Sequence, residues 1–91
     1  MKALVTGAGS KGGIGMASAR LLGRAGCELA LVSTTARIHE RAAELLAEGI
    51  VATGHIADLT DAAQVAALRE AVGPVQVLVN NAGMGTLNAP A

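Results

Sequence analysis

The chain has 91 residues, of which 52% are hydrophobic, with seven basic and seven acidic residues and no net charge. That suffices for one small globular unit, is too apolar for a disordered segment, and lacks the basic stripe that a nucleic-acid backbone selects. No apolar run reaches the roughly 20 residues that cross a bilayer, and the single Cys27 excludes an internal disulfide, so a reducing cytoplasm is expected, with neither membrane nor nucleic acid as partner.

Lys2 to Thr6 predicts a short buried strand, and the glycine-rich turn Gly7-Ala8-Gly9-Ser10-Lys11-Gly12-Gly13 that follows opens a helix over Ile14 to Ala25. In that helix Ile14, Ser18, Leu21, Leu22 and Ala25 recur at helical spacing, and the small Ala17 and Ser18 are expected to let it approach the sheet. Gly26 suits its end. Glu28 to Val32 is apolar without alternation after its first residue, the pattern of a strand covered on both faces. Arg37 to Glu48 predicts a second helix with Ile38, Ala42, Leu45 and Leu46 inward and its Arg and Glu residues outward, closed by Gly49.

Ile50 to Ala57 predicts the third strand. Thr60 suits an N-cap and Asp61 a first turn, before a third helix with Val65, Leu68 and Val72 inward and Gly73-Pro74 at its end. Val75 to Val79 predicts the fourth strand. Strands alternating with helices over short connections define a doubly wound α/β fold of Rossmann type, βαβαβαβ, with a parallel sheet in the expected order 3-2-1-4. Strand 4 is then an apolar edge, and with no Phe, Tyr or Trp in the chain the unit is expected to need something further to pack against.

Three sites meet at the carboxyl rim of such a sheet: the glycine turn, Asp58-Leu59-Thr60-Asp61 after strand 3, and Asn80-Asn81-Ala82-Gly83 at the end of strand 4. A strand feeding glycines into a helix start leaves backbone N–H groups and a positive dipole end facing a phosphate. The combination resembles the short-chain dehydrogenase/reductase family, whose cofactor turn reads Thr-Gly-x-x-x-Gly-x-Gly and whose fourth strand ends in Asn-Asn-Ala-Gly. The resemblance runs through all 91 residues. It implies that Gly7, Gly13, Ile14 and Gly15 bring backbone to a dinucleotide pyrophosphate, that Asp58 and Leu59 face its adenine, and that Asn81, Ala82 and Gly83 border its ribose. The sequence departs from the pattern in the turn, where five residues rather than three separate Gly7 from Gly13. Ser10 remains a candidate contact there, and Lys11 either reaches a phosphate or is solvated.

Cofactor choice is argued from charge. A NAD site carries an acidic residue about 20 residues after the glycines to hold the ribose 2′-OH, whereas here Ser33-Thr34-Thr35-Ala36-Arg37 offers hydroxyls and a cation. NADP(H) is therefore the preferred cofactor and NAD(H) the alternative, since hydroxyls and Arg37 suit a 2′-phosphate. The competing reading makes Arg37 helix surface and Ser33 or Thr35 a cap. His39 is expected to be exposed, His55 to be a satisfied structural histidine, Cys27 a small buried hydrophobe, and Asn80 a tie between neighbouring loops; no metal site is expected.

What the resemblance implies about chemistry is hydride transfer between nicotinamide and a small-molecule carbonyl or secondary alcohol, in a protein expected to be a homo-oligomer when complete. The family's catalytic Tyr, Lys and Ser match no position here, so no catalytic residue is assigned. Residues 1–91 are expected to be the dinucleotide-binding portion, ending before the catalytic segment and inactive alone. The alternatives are a non-catalytic nucleotide-binding module and a half-domain that pairs with a complementary chain along strand 4.

Overall fold

An apolar run such as Leu29 to Val32 can be satisfied only by cover on both faces, and the computed structural model, which describes residues 1–7 and 13–80, supplies it. The strands are β1 (Lys2–Thr6), β2 (Glu28–Ser33), β3 (Ala52–Ile56) and β4 (Val77–Asn80). The helices are α1 (Ile14–Arg24), α2 (Arg37–Ala47) and α3 (Ala62–Val72). All described strand pairs are parallel, and the sheet runs β3-β2-β1-β4, the order expected from the sequence.

Side chains alternate between the two faces. Leu29 and Leu31 join Ala3, Val5 and Ala52 beneath α1 and α2, whereas Ala30 and Val32 join Leu4, Ala57, Leu68 and Val72 beneath α3. Backbone bonds carry the ladder past the strand ends, from Leu29 N to Val51 O at 2.8 Å and from Ala57 N to Ser33 O at 3.0 Å. The third strand is thus shorter than Ile50 to Ala57, although those flanks remain attached. The fourth begins two residues later than expected, with Gln76 N donating to Lys2 O at 2.9 Å ahead of it.

Several inward positions differ from the sequence pattern. In α1 the buried residues are Met16 and Ala19, with Leu22 half-buried, while Leu21 is 72% exposed and Ala17 and Ala25 are exposed. The close approach lies instead at Gly23, where a Cβ would sit 2.4 Å from Ile50 Cγ2. In α2 Ile38, Ala42 and Leu45 face inward as expected, but Leu46 is 55% exposed and Arg41 is buried. Those exchanges shift the buried stripe of α2 from Leu46 to Arg41. Asp61, not Thr60, caps α3: its backbone is extended and its carboxylate accepts from Ala63 N and Gln64 N. Thr60 is drawn away by Asp58.

Gly26 and Gly49 follow the ends of α1 and α2 with φ of 99° and 84°, and Gly73 follows α3 with φ of 78°, a region glycine enters without steric cost. β4 stands at the sheet edge with Leu78 62% exposed. Beside it an apolar groove of about 370 Å³ runs between α3 and β1–β4, lined by Leu4, Val65, Leu68, Val72 and Leu78 among others.

Candidate functional site

Parallel strands bring their carboxyl ends to one rim, so the residues that follow β1, β2 and β3 become neighbours. Gly7, in the left-handed region at φ 69°, donates its amide to Val32 O at 3.1 Å, which sets it beside the end of β2. Around this junction lies a pocket of about 140 Å³ lined by Gly7, Val32, Ser33, Thr34, Ala57 and Leu59. Four of the residues singled out in the sequence, Gly7, Ser33, Thr34 and Leu59, thus line one cavity. Val32 and Ala57, its apolar walls, were not singled out, because within strands they read simply as core.

Thr35, Arg37 and Asp58 stand outside that lining. Arg37 is the exposed first residue of α2 and forms no ion pair among the described residues. The N-cap of α2 is Ala36, with no side-chain cap; Ser33 Oγ instead accepts from Thr35 N at 3.4 Å. The reading of Ser33 or Thr35 as the cap is therefore corrected: Ala36 is αR rather than extended, so the helix closes its first turn through backbone bonds from Ile38 N to Thr35 O and His39 N to Ala36 O.

Asp58 Oδ1 accepts from Thr60 Oγ1 at 2.6 Å and Thr60 N at 2.9 Å, and these two bonds, the side-chain one foremost, hold its carboxyl below the usual range. The backbone N–H of Asp58 donates to Gln64 Oε1 at 2.8 Å. The carboxylate is exposed and fixed in direction next to Leu59, an ionised acceptor at the edge of the pocket.

Gly13 caps α1 in an extended conformation, φ −82° and ψ 169°, without a side-chain cap and with no acidic residue in the first turn. Among the described residues the first amides of this 11-residue helix have no side-chain acceptors, a fit for an anionic group. Gly15 is buried at its base. Ser10, Lys11, Asn81, Ala82 and Gly83 lie outside the described residues, as does the side chain of Ile14. Asn80, expected to tie neighbouring loops, instead joins strand ends: Thr6 Oγ1 stands 3.1 Å from Asn80 Oδ1, between the last residues of β1 and β4.

His39 is exposed, as expected. His55 is half-buried on β3 with Nε2 2.9 Å from Thr53 Oγ1, and Cys27 is half-buried against the cluster under α1 and α2. No described helix is long and apolar enough to cross a membrane.

A parallel α/β sheet in this order, with a pocket at its carboxyl rim and an uncapped glycine start to α1, defines the architecture of dinucleotide-binding proteins. The chain belongs to the short chain dehydrogenase family, whose sequence profile matches residues 1–91. It is 43% identical over 89 residues to galactitol 2-dehydrogenase (L-tagatose-forming) of Cereibacter sphaeroides, covering 94% of this chain and 34% of that protein. To the 1-deoxy-11-beta-hydroxypentalenate dehydrogenase of Streptomyces arenae it is 42% identical over 94 residues, covering 97% of this chain and 33% of the relative. A metagenomic short-chain oxidoreductase in complex with NADP superposes with a TM-score of 0.79 at 38% identity, over 91% of this chain and 39% of that one. The chain spans about a third of the length of these curated relatives.

Proposed function

We propose that residues 1–91 are the dinucleotide-binding part of an oxidoreductase that interconverts a carbonyl and a secondary alcohol, with NADP(H) preferred over NAD(H). The observation that carries the cofactor reading is the pocket shared by Gly7, Ser33, Thr34 and Leu59 at a β2 terminus that bears no carboxylate. The adenosine ribose enters at that pocket, with the Ser33 and Thr34 hydroxyls and the Arg37 guanidinium, which has no ion pair among the described residues, on the side of a 2′-phosphate. Asp58 and the Leu59 backbone take the adenine edge. The pyrophosphate lies against Gly13 to Gly15, where helix amides donate and the glycines admit close approach. The family resemblance further assigns Asn81, Ala82 and Gly83 to the adenine's ribose and the gap between strands 1 and 4. The bound nicotinamide supplies the hydride donor or acceptor.

Two relatives of known structure support this reading: the metagenomic oxidoreductase complexed with NADP, and actinorhodin polyketide ketoreductase with NADPH, which superposes with a TM-score of 0.75 at 40% identity. A cytoplasmic setting and a homo-oligomeric complete protein belong to the same proposal, as does the absence of a catalytic group from residues 1–91. Parallel titrations with NADPH and NADH, followed by calorimetry, test it. Tighter NADPH binding is expected; tighter NADH binding overturns the cofactor preference, and binding of neither overturns the dinucleotide reading.

A further inference from the structure

We propose that Gln64, in the first turn of α3, is a positioning residue for the adenine end of the nucleotide: its side-chain amide holds the turn after β3 so that Asp58 and the Leu59 backbone meet the base in one direction. The inference rests on the dinucleotide reading and names what lets that end prefer adenine over another purine.

Residues 58–61 lead from β3 into α3, whose N-cap is Asp61. A Gln three residues after an N-cap ordinarily reaches back to the N-cap amide. Here that amide is taken, since Asp61 N donates to Asp58 O at 3.0 Å. Gln64 Oε1 instead reaches past the helix and accepts from Asp58 N at 2.8 Å, while Gln64 Nε2 donates to Asp61 Oδ2 at 3.3 Å. One side chain thus holds both the first and the last residue of the turn. Ala57, just ahead of it, is already tied to the end of β2 by its bond to Ser33 O.

These bonds leave a specific remainder. The amides of Asp58, Thr60 and Asp61 are all engaged, and Thr60 occupies Asp58 Oδ1 through both its amide and its hydroxyl. Among the described residues, Leu59 N and Asp58 Oδ2 take part in no hydrogen bond. They are one donor and one acceptor on consecutive residues, beside the pocket that Leu59 lines with Gly7 and Ser33. Adenine offers the converse pair along one edge, an acceptor at N1 and a donor in its 6-amino group; hypoxanthine reverses both, with a protonated N1 and an oxygen at C6.

Asp58, Thr60, Asp61 and Gln64 are exposed, so each of these bonds competes with water and adds little to stability. What Gln64 supplies is direction. With the Asp58 amide held, the peptide that carries the Leu59 N–H and the carboxylate beside it keep one orientation, and the base need not order the turn as it binds.

The test uses the full chain that carries these residues, as wild type, Gln64→Met, Gln64→Ala and Gln64→Glu, titrated with NADPH and with its hypoxanthine analogue. Wild type is expected to prefer NADPH by at least about tenfold, two hydrogen bonds being at stake, one of them to a charged group. In Gln64→Met and Gln64→Ala that preference should shrink about threefold to tenfold, chiefly through weaker NADPH binding. Gln64→Glu, which keeps an acceptor for the Asp58 amide, should recover most of it. An unchanged preference in Gln64→Met or Gln64→Ala overturns the proposal, including the case in which both nucleotides weaken by one factor, as a merely structural role requires. Gln64→Glu as unselective as Gln64→Met rejects the bond to the Asp58 amide as the cause. If either apolar variant fails to fold, the other decides. Wild type that binds both nucleotides equally removes the adenine contacts and the Gln64 role with them, and wild type that binds neither removes the dinucleotide reading, so the failures are told apart.

Discussion

Thr6 Oγ1 lies 3.1 Å from Asn80 Oδ1 and 3.3 Å from Val79 O, so a single buried hydroxyl links the end of β1 to the end of β4 at the rim where the nucleotide is proposed to bind. One proton can serve only one of these acceptors at a time. Asn80→Ala leaves Val79 O in place, whereas Thr6→Val removes the donor from both. Urea unfolding should therefore show Thr6→Val destabilised by about 1 kcal/mol and Asn80→Ala by less. The reverse order would mean that the Asn80 side chain, rather than the Thr6 hydroxyl, holds the two ends together.

Gly23→Ala is expected to destabilise the fold although it removes a glycine from a helix. The gain in helix propensity is about 1 kcal/mol, but the new Cβ would sit 2.4 Å from Ile50 Cγ2 and 3.0 Å from its Cδ1. Ile50 is 5% exposed and branched at Cβ, so it cannot swing aside as a flexible side chain would. Overpacking of this kind costs about 1–3 kcal/mol. A double-mutant cycle with Ile50→Ala checks it: the pair should be less destabilised than the sum of the single changes, and simple additivity would rule out the clash.

How much of this was legible in the sequence follows the same physics. β2 was plain because Leu29 to Val32 is apolar at every position, and the strand order followed from short connections between alternating elements. The phase of α1 was not, because apolar periodicity is blind to a helix whose closest contact is made by Gly23, and Leu21 drew the predicted stripe onto the exposed side. Arg41 was hidden for a related reason, as a charge in the inward row looks like surface until its partner Glu44 is seen. Asp61 and Thr60 are both capping residues, and only the backbone conformation and the Asp58 bonds separate them. In the site, Ser33, Thr34 and Leu59 stood out because they follow strand ends, whereas Val32 and Ala57 did not.

Arg37→Ala should weaken NADPH by about tenfold, since a hydrogen bond to a charged group contributes about 1.5–3 kcal/mol and 1.4 kcal/mol is a factor of ten. NADH, which has no 2′-phosphate, should be almost unaffected. Arg37 forms no described ion pair and is exposed, so its removal should leave the unfolding midpoint nearly unchanged. Equal losses for the two nucleotides in the titration would place Arg37 away from the ribose.

Gly13→Val separates backbone strain from space for a ligand. The φ of −82° and ψ of 169° at Gly13 are open to any residue, and valine favours that extended region, so α1 should still form. The side chain would nevertheless stand where backbone is proposed to approach the pyrophosphate. Circular dichroism should therefore be unchanged while affinity for NADPH and NADH falls together by at least about tenfold. Retained affinity would show that the pyrophosphate does not lie against Gly13.

His55 gives the fold a pH dependence whose sign can be worked out. Partial burial, then the charges of Lys2 and His39, lower its pKa from 6.5, so the native state binds fewer protons than the unfolded chain just below that value. Stability then rises with pH across this window, because unfolding takes up a proton there. The contribution is intact above 6.5, declines as pH falls from 6.5 to the folded value, and is constant below it. Asp58, whose carboxyl is held below the usual range, titrates in a more acidic region and does not overlap. Urea midpoints measured from pH 8 to 5 should fall more steeply in the wild type than in His55→Gln, which keeps a hydrogen-bonding partner for Thr53 but cannot titrate. Parallel slopes would assign the acid sensitivity to other groups.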